Sequence, residues 1–214
     1  MKEAFDAILQ PQQAKYLESI EPERDPLLAE MEEYARAHRM PISDPEVASF
    51  LAVTTRAMGA RSIVELGTNI GYGAIVLARA AGPGAKVVTY ELNPETAKVA
   101  RGYIARAGLS EVIEVREADA LAGIASFDRP IDLLYLDCVK EHYPQYLEHA
   151  LPKLTERGVV VADNVLWKGT TADLGVQNPE VDAFRRFNKM IVGDSRLRGV
   201  VLPLGDGVGY AVRS

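Results

Sequence analysis

The chain has 214 residues, a formal net charge of −6 and a pI near 5.2, with hydrophobic residues at 48% and charged residues at 25%. This balance excludes wholesale disorder and leaves no basic footprint for nonspecific contact with nucleic acid or an anionic membrane. A single Cys excludes an intrachain disulfide framework and a multi-Cys zinc site.

No apolar run reaches the roughly 18 residues of a membrane span. The opening segment MKEAFDAILQPQQ lacks the apolar centre of a signal peptide, so a cytoplasmic location is expected. One domain over 1–214 is expected, with 1–60 as a helical cap and 61–214 as the core. Within the cap, DPLLAEMEEYARAH and DPEVASFLAVTTRAM each open on an Asp-Pro helix start. From Ser62 onward, short β-rich runs alternate with helical patterns, the rhythm of an α/β protein with a parallel sheet and helices on both faces. Seven strands are predicted, at 62–67, 86–92, 111–118, 131–137, 158–165, 199–204 and 207–213. Helices are predicted near 72–81, 94–107, 141–154 and 178–192. The last two strands leave only Gly205 and Asp206 between them, which predicts a hairpin. The expected fold is therefore a Rossmann-like, seven-stranded, mostly parallel sheet whose last strand is antiparallel.

In open α/β sheets, ligands bind beyond the carboxyl ends of the strands. Here five successive strand ends lead to an acid or a glycine turn: ELGTNIGYG after the first strand, then Glu91, Asp119, Asp137, and Asp163 with Asn164. Gly67, Gly71 and Gly73 are spaced G-x-x-x-G-x-G, which does not match the G-x-G-x-x-G turn of dinucleotide sites and disfavours NAD. Glu65 offers a carboxylate to a cationic amine, and Glu91 can accept hydrogen bonds from two ribose hydroxyls. A ribose with an ammonium and no phosphate describes S-adenosylmethionine.

The segments VELGTNIGYG, YELNPE, ADA, DLLYLDCVKEHYPQY, ADNVLWKGTTAD and LPLGDGVGY, in this order and spacing, resemble the cation-dependent class I O-methyltransferases typified by the catechol and caffeoyl-CoA enzymes. The resemblance runs from about Pro41 to Arg213. It implies that Glu65, Gly67, Thr68 and the Gly71–Gly73 turn hold the methionine portion of the cofactor, with Asp137 beside it and Ile42 in contact through its backbone. Glu91 would hold the ribose, and Asp119 with the Ala120 N–H the adenine. Two positions depart from the family pattern. Gly73 stands where a Ser usually holds the cofactor carboxylate, so that contact falls to backbone or water. Asn69 stands where an aromatic residue is common.

The resemblance further assigns Asp137, Asp163 and Asn164 as ligands of a divalent cation, Mg²⁺ by preference over Ca²⁺ or Mn²⁺. Lys140 and Asp137 become the catalytic pair, with Lys140 beside the reacting hydroxyl. Lys140, Asn164 and Trp167 would face a small aromatic acceptor with adjacent hydroxyls, and the loop KGTTADLGVQNP would close over it. A homodimer is also implied. A thiol nucleophile built from Cys138 and His142 is disfavoured, because Cys138 and Asp137 point to opposite sides of a strand tip. Tyr143 and Tyr146 share a helix face and are expected to pack on the sheet. Three alternatives stand beside this expectation: the same chemistry on a hydroxylated tRNA base, which the acidic charge disfavours, a noncatalytic cofactor-binding module, and an NAD dehydrogenase.

Overall fold

The computed structural model describes residues 11–20 and 25–214. Of the predicted cap, 1–10 and 21–24 lie outside the described residues. Among the described residues three helices precede the sheet: α1 (Pro11–Ser19), α2 (Pro26–His38) and α3 (Pro45–Met58). The Asp-Pro starts act as expected. Asp25 caps α2 by accepting the Leu27 N–H at 2.9 Å, and Pro26 occupies the first turn, where its missing N–H costs nothing.

The core then runs β1 (Ser62–Leu66), α4 (Tyr72–Ala81), β2 (Lys86–Glu91), α5 (Pro94–Arg106), β3 (Ile113–Glu117), α6 (Ala120–Ser126), β4 (Ile131–Leu136), α7 (Tyr143–Ala150), β5 (Leu154–Ala162), α8 (Pro179–Gly193), β6 (Leu197–Leu202) and β7 (Val208–Arg213). The strands form one seven-stranded sheet in the order β3-β2-β1-β4-β5-β7-β6. Pairing is parallel except on the two sides of β7, which is antiparallel to both β5 and β6. The last strand is therefore the single antiparallel one, as expected, and it sits inside the sheet.

Strand alternation sorts the core into two layers. Ile63, Val87, Leu133 and Val159 face α2–α5, whereas Val64, Val88, Leu134 and Val160 face α6–α8. The same alternation puts Glu65 and Tyr135 on the α4 side, level with each other in the sheet register. Two residues further on, the tips of β1, β4 and β5 lie in a row, because the Asp137 N–H donates to Leu66 O and the Asp163 N–H to Leu136 O, each at 2.9 Å.

Three details differ from expectation. The short helix α6 was not foreseen. It is only seven residues long and is started by Asp119, whose carboxylate accepts the Ala122 N–H at 2.8 Å. β5 begins at Leu154 and not at 158, because Leu154 pairs with Ile131 ahead of a register irregularity that admits the polar stretch Thr155–Arg157. The connection between β6 and β7 spans 203–207 in place of two residues. Pro203 lacks the N–H that a ladder needs, and Gly207 turns at φ 87° hard against Leu166.

Candidate active site

At the tip of β1 the chain must turn sharply beneath its neighbours. Gly67 has φ 103°, and a Cβ placed there would lie 2.1 Å from the Asp137 carbonyl oxygen. Glycine is thus required on both conformational and steric grounds. Gly71, at φ 89°, starts α4, and its Cβ would meet Ala100 of α5 at 3.4 Å. Gly73 makes room for an acid: a Cβ there would stand 2.2 Å from Glu65 Oε1. Gly73 and the buried Glu65 side chain are therefore one packing arrangement.

Glu65 is 1% exposed. Its Oε2 accepts from Thr89 Oγ1 at 2.6 Å, and Thr89 is linked to Thr68 Oγ1, also at 2.6 Å. Burial pushes the Glu65 carboxyl up to about 8, partly offset by the Thr89 hydrogen bond and reinforced by Asp137 and Glu91. At the tip of β2, the Glu91 carboxylate accepts the Asn69 N–H at 3.0 Å and the Asn93 N–H at 2.9 Å. Each oxygen keeps a lone pair for a further donor. Asn69 adopts φ 46°, and its side-chain amide donates to Pro41 O, tying the β1 turn to the segment that carries Ile42. Ile42, Thr68, Glu65, Gly67, Gly73 and Asp137 line one cleft. Ala120 stands one strand further out as the first residue of α6, where a backbone N–H has no acceptor within the helix.

The tips of β4 and β5 are built differently. Lys140 Nζ donates to Asp137 Oδ1 at 2.7 Å, Asn164 Oδ1 at 2.8 Å and the Tyr143 hydroxyl at 3.2 Å. Asp163 is 2% exposed, and its Oδ1 accepts the Asn164 N–H at 2.7 Å. Burial, then the nearby Asp137 charge, pushes the Asp163 carboxyl up to about 7. Asp44 is raised as well, first by burial and then by Asp206 and Asp137. Like charge is thus concentrated here around one ammonium. Among the described residues no three His, Cys, Asp or Glu side chains gather as a metal cluster; the set at these tips is two carboxylates and one amide.

The structure adds residues that the sequence reading left out. Tyr143 and Tyr146 are fully buried, as expected of packing residues, but the Tyr143 hydroxyl also donates toward the carbonyls of Leu136 (3.2 Å) and Asp163 (3.1 Å) while receiving Lys140. Tyr135 bonds Ser43 at 2.7 Å and lies 3.4 Å from Asp163 Oδ2, joining β5 to the segment before α3. The phase of the strand was a usable signal for Tyr135, since it shares a face with Glu65; no local motif marked Ser43. The Cys138 thiol is pushed up by burial, and His142 packs edge-on against Tyr146 at 5.9 Å, an arrangement of no use to a thiolate nucleophile. Trp167 rests on Phe184 of α8, ring centroids 5.5 Å apart.

Known proteins share this fold. The family model described as O-methyltransferase matches residues 18–214. The chain belongs to the O-methyltransferase family. A catechol O-methyltransferase from Niastella koreensis is 32% identical over 187 residues, covering 85% of each chain. An O-methyltransferase from Bacillus cereus, solved in complex with SAH, superposes with a TM-score of 0.86 at 31% identity, covering 95% of this chain and 97% of that one. The O-methyltransferase TomG from Streptomyces achromogenes, involved in tomaymycin synthesis and solved with SAM, gives a TM-score of 0.84 at 27% identity over 96% of this chain and 100% of that one. No helix among the described residues of this O-methyltransferase is long and apolar enough to cross a membrane.

Proposed function

We propose that this O-methyltransferase uses S-adenosylmethionine and a divalent cation to methylate one hydroxyl of a small aromatic acceptor that carries two adjacent hydroxyls. One observation supports this above the others: the Lys140 ammonium lies between Asp137 and Asn164 at 2.7 and 2.8 Å, beside the buried Asp163. A positive charge already stands where hard oxygen donors converge, and the crowding of Asp137 with Asp163 calls for one. This donor set fits a hard cation such as Mg²⁺, with Ca²⁺ or Mn²⁺ as alternatives. Asp137, Asp163 and Asn164 would hold it. When bound, such an ion supplies charge stabilisation that lowers the pKa of a neighbouring hydroxyl.

The remaining roles belong to the chain's own groups. Glu65, Thr68 and the Gly67–Gly73 turn would hold the methionine portion of the cofactor, with the Ile42 backbone against it. Glu91, already aimed by two backbone N–H groups, would accept both ribose hydroxyls. Asp119 and the Ala120 N–H would address the adenine. Lys140, in its neutral amine form, would take the hydroxyl proton, and Trp167 would wall the acceptor ring. The sheet's contribution is to keep the two halves of the cleft in one fixed register, so that catalysis is chiefly positioning.

The test is methylation of catechol and of phenol with S-adenosylmethionine, in Mg²⁺ and after EDTA. Catechol in Mg²⁺ should be methylated, phenol poorly, and EDTA should abolish turnover until Mg²⁺ is restored. Full activity after EDTA, or phenol equal to catechol, would overturn the cation-and-diol reading. Methylation of a hydroxylated RNA base alone would do the same for the acceptor.

A further inference from the structure

Between Asn164 and α8 the chain makes a loop whose backbone is costly. Asn164, Trp167 and Lys168 have φ of 62°, 45° and 54°, followed by Gly169 at 80°. Residues with a Cβ disfavour this left-handed region, and such a run persists only where surrounding structure holds it. Hydrogen bonds from two sides do so at its first half. Asp206 takes the Leu166 N–H on its carbonyl at 3.0 Å and the Lys168 N–H on its carboxylate at 2.6 Å, and Asn188 Nδ2 donates to Val165 O at 2.9 Å.

The second half depends on one side chain. The Arg185 guanidinium, on α8, donates to four backbone carbonyls of the loop: Nε to Thr171 at 3.1 Å, Nη1 to Val176 at 2.8 Å, and Nη2 to Thr170 at 3.3 Å and to Asp173. Asp182 Oδ1 steadies Nη1 at 3.2 Å. Thr170 in turn bonds Trp167 O through both its N–H, at 3.0 Å, and its hydroxyl, at 2.6 Å. The Trp167 ring rests on Phe184, the neighbour of Arg185 in α8. A planar fork with five donors can satisfy such a set of carbonyls; a lysine ammonium at the same place has no matching geometry.

We propose that Arg185 is a positioning residue for the methyl acceptor: it latches the 170–176 loop onto α8 and thereby fixes the Trp167 ring as a rigid wall. The proposal rests on the reading of Trp167 as the acceptor wall.

Trp167 is the chain's only Trp, so its fluorescence reports on the loop without any acceptor. Acrylamide quenching and catechol KM should be measured for wild type, Arg185→Lys and Arg186→Lys. Arg186 is exposed, pairs with Glu148 and makes no bond to the loop, and serves as control. With several hydrogen bonds lost, Arg185→Lys should raise the quenching constant about twofold and the catechol KM about tenfold, with S-adenosylhomocysteine affinity unchanged. Arg186→Lys should match wild type in all three.

Unchanged quenching in Arg185→Lys overturns the latch, and unchanged KM beside increased quenching overturns the acceptor role. If Arg185→Lys does not fold by circular dichroism, Arg185→Gln is read in the same way. If neither folds, Arg185 is a general element of the fold and the proposal is wrong. A wild type that fails to methylate catechol would count against the catechol reading, while quenching still decides the latch.

Discussion

At the tips of β1 and β2 the site is made of backbone: three glycines bring the chain close to its neighbours, and two main-chain N–H groups aim Glu91. At the tips of β4 and β5 it is made of charge, with Asp137, Asp163 and Asn164 grouped around a lysine ammonium and flanked by left-handed residues. The first half is braced by hydrogen bonds, from Thr89 to Glu65 and from the Asn69 and Asn93 N–H groups to Glu91. In the second, carboxylates are crowded together, and the Asp137 charge is second only to burial in raising Asp163. A group that binds the first half meets a preorganised surface, whereas one that binds the second must also relieve a charge conflict. The two halves should therefore fail separately when mutated.

The strongest test of that separation is Asp163→Ala. It removes a donor from the charged half, and turnover should fall by at least about a thousandfold, the scale of losing Lewis-acid stabilisation worth several kcal/mol. Calorimetry with S-adenosylhomocysteine should find cofactor affinity intact; a parallel loss would mean that the halves are coupled. Next in size is Lys140→Ala, for which single-turnover kinetics should give a loss of roughly a hundredfold to ten-thousandfold, the range for a missing general base. A surviving rate would reduce Lys140 to a counter-charge. Glu91→Ala attacks the other half and should weaken cofactor binding by at least about 1 kcal/mol through lost charge-assisted hydrogen bonds. Its catechol KM at saturating cofactor should not change.

The last test concerns pH. The folded chain holds Glu65's proton up to about 8, against 4.5 as its ordinary value, chiefly through burial. The unfolded chain gives up that proton earlier, so the folded state binds more protons between these limits and stability falls as pH rises through the window. Asp163, raised to about 7, acts in the same direction. Urea titrations of the cation-free protein from pH 5 to 8 should show declining stability, and Glu65→Gln should flatten the slope to Asp163's share. An unchanged slope would place the proton elsewhere.

The sequence revealed most about the half made of backbone and strand ends. A run such as SIVELG followed by spaced glycines reports both a strand and the close approach beyond it, because only glycine meets the steric demand at Gly67. What escaped was held by long-range contact. The Ser43–Tyr135 bond joins residues 92 apart, and α6 is too short to show a helical period. The start of β5 was hidden by Thr155–Arg157, a polar stretch that reads as a turn until Leu154 is seen paired with Ile131. Arg185 looked like any helix-surface arginine, since its four partners in the loop are backbone carbonyls, which carry no residue-type signal.

The position of β7 bears on how the molecule is made. During synthesis β6 leaves the ribosome before β7, yet β7 lies between β5 and β6, so the exposed edge of β5 must wait for a strand not yet translated. Gly207 and Asp206, which anchor Val165, Leu166 and Lys168, arrive with that strand. Nascent chains can assemble the β1–β2 half of the cleft while its other half still lacks a frame, and a premature β5–β6 pairing is the misfolding route that this order of emergence leaves open.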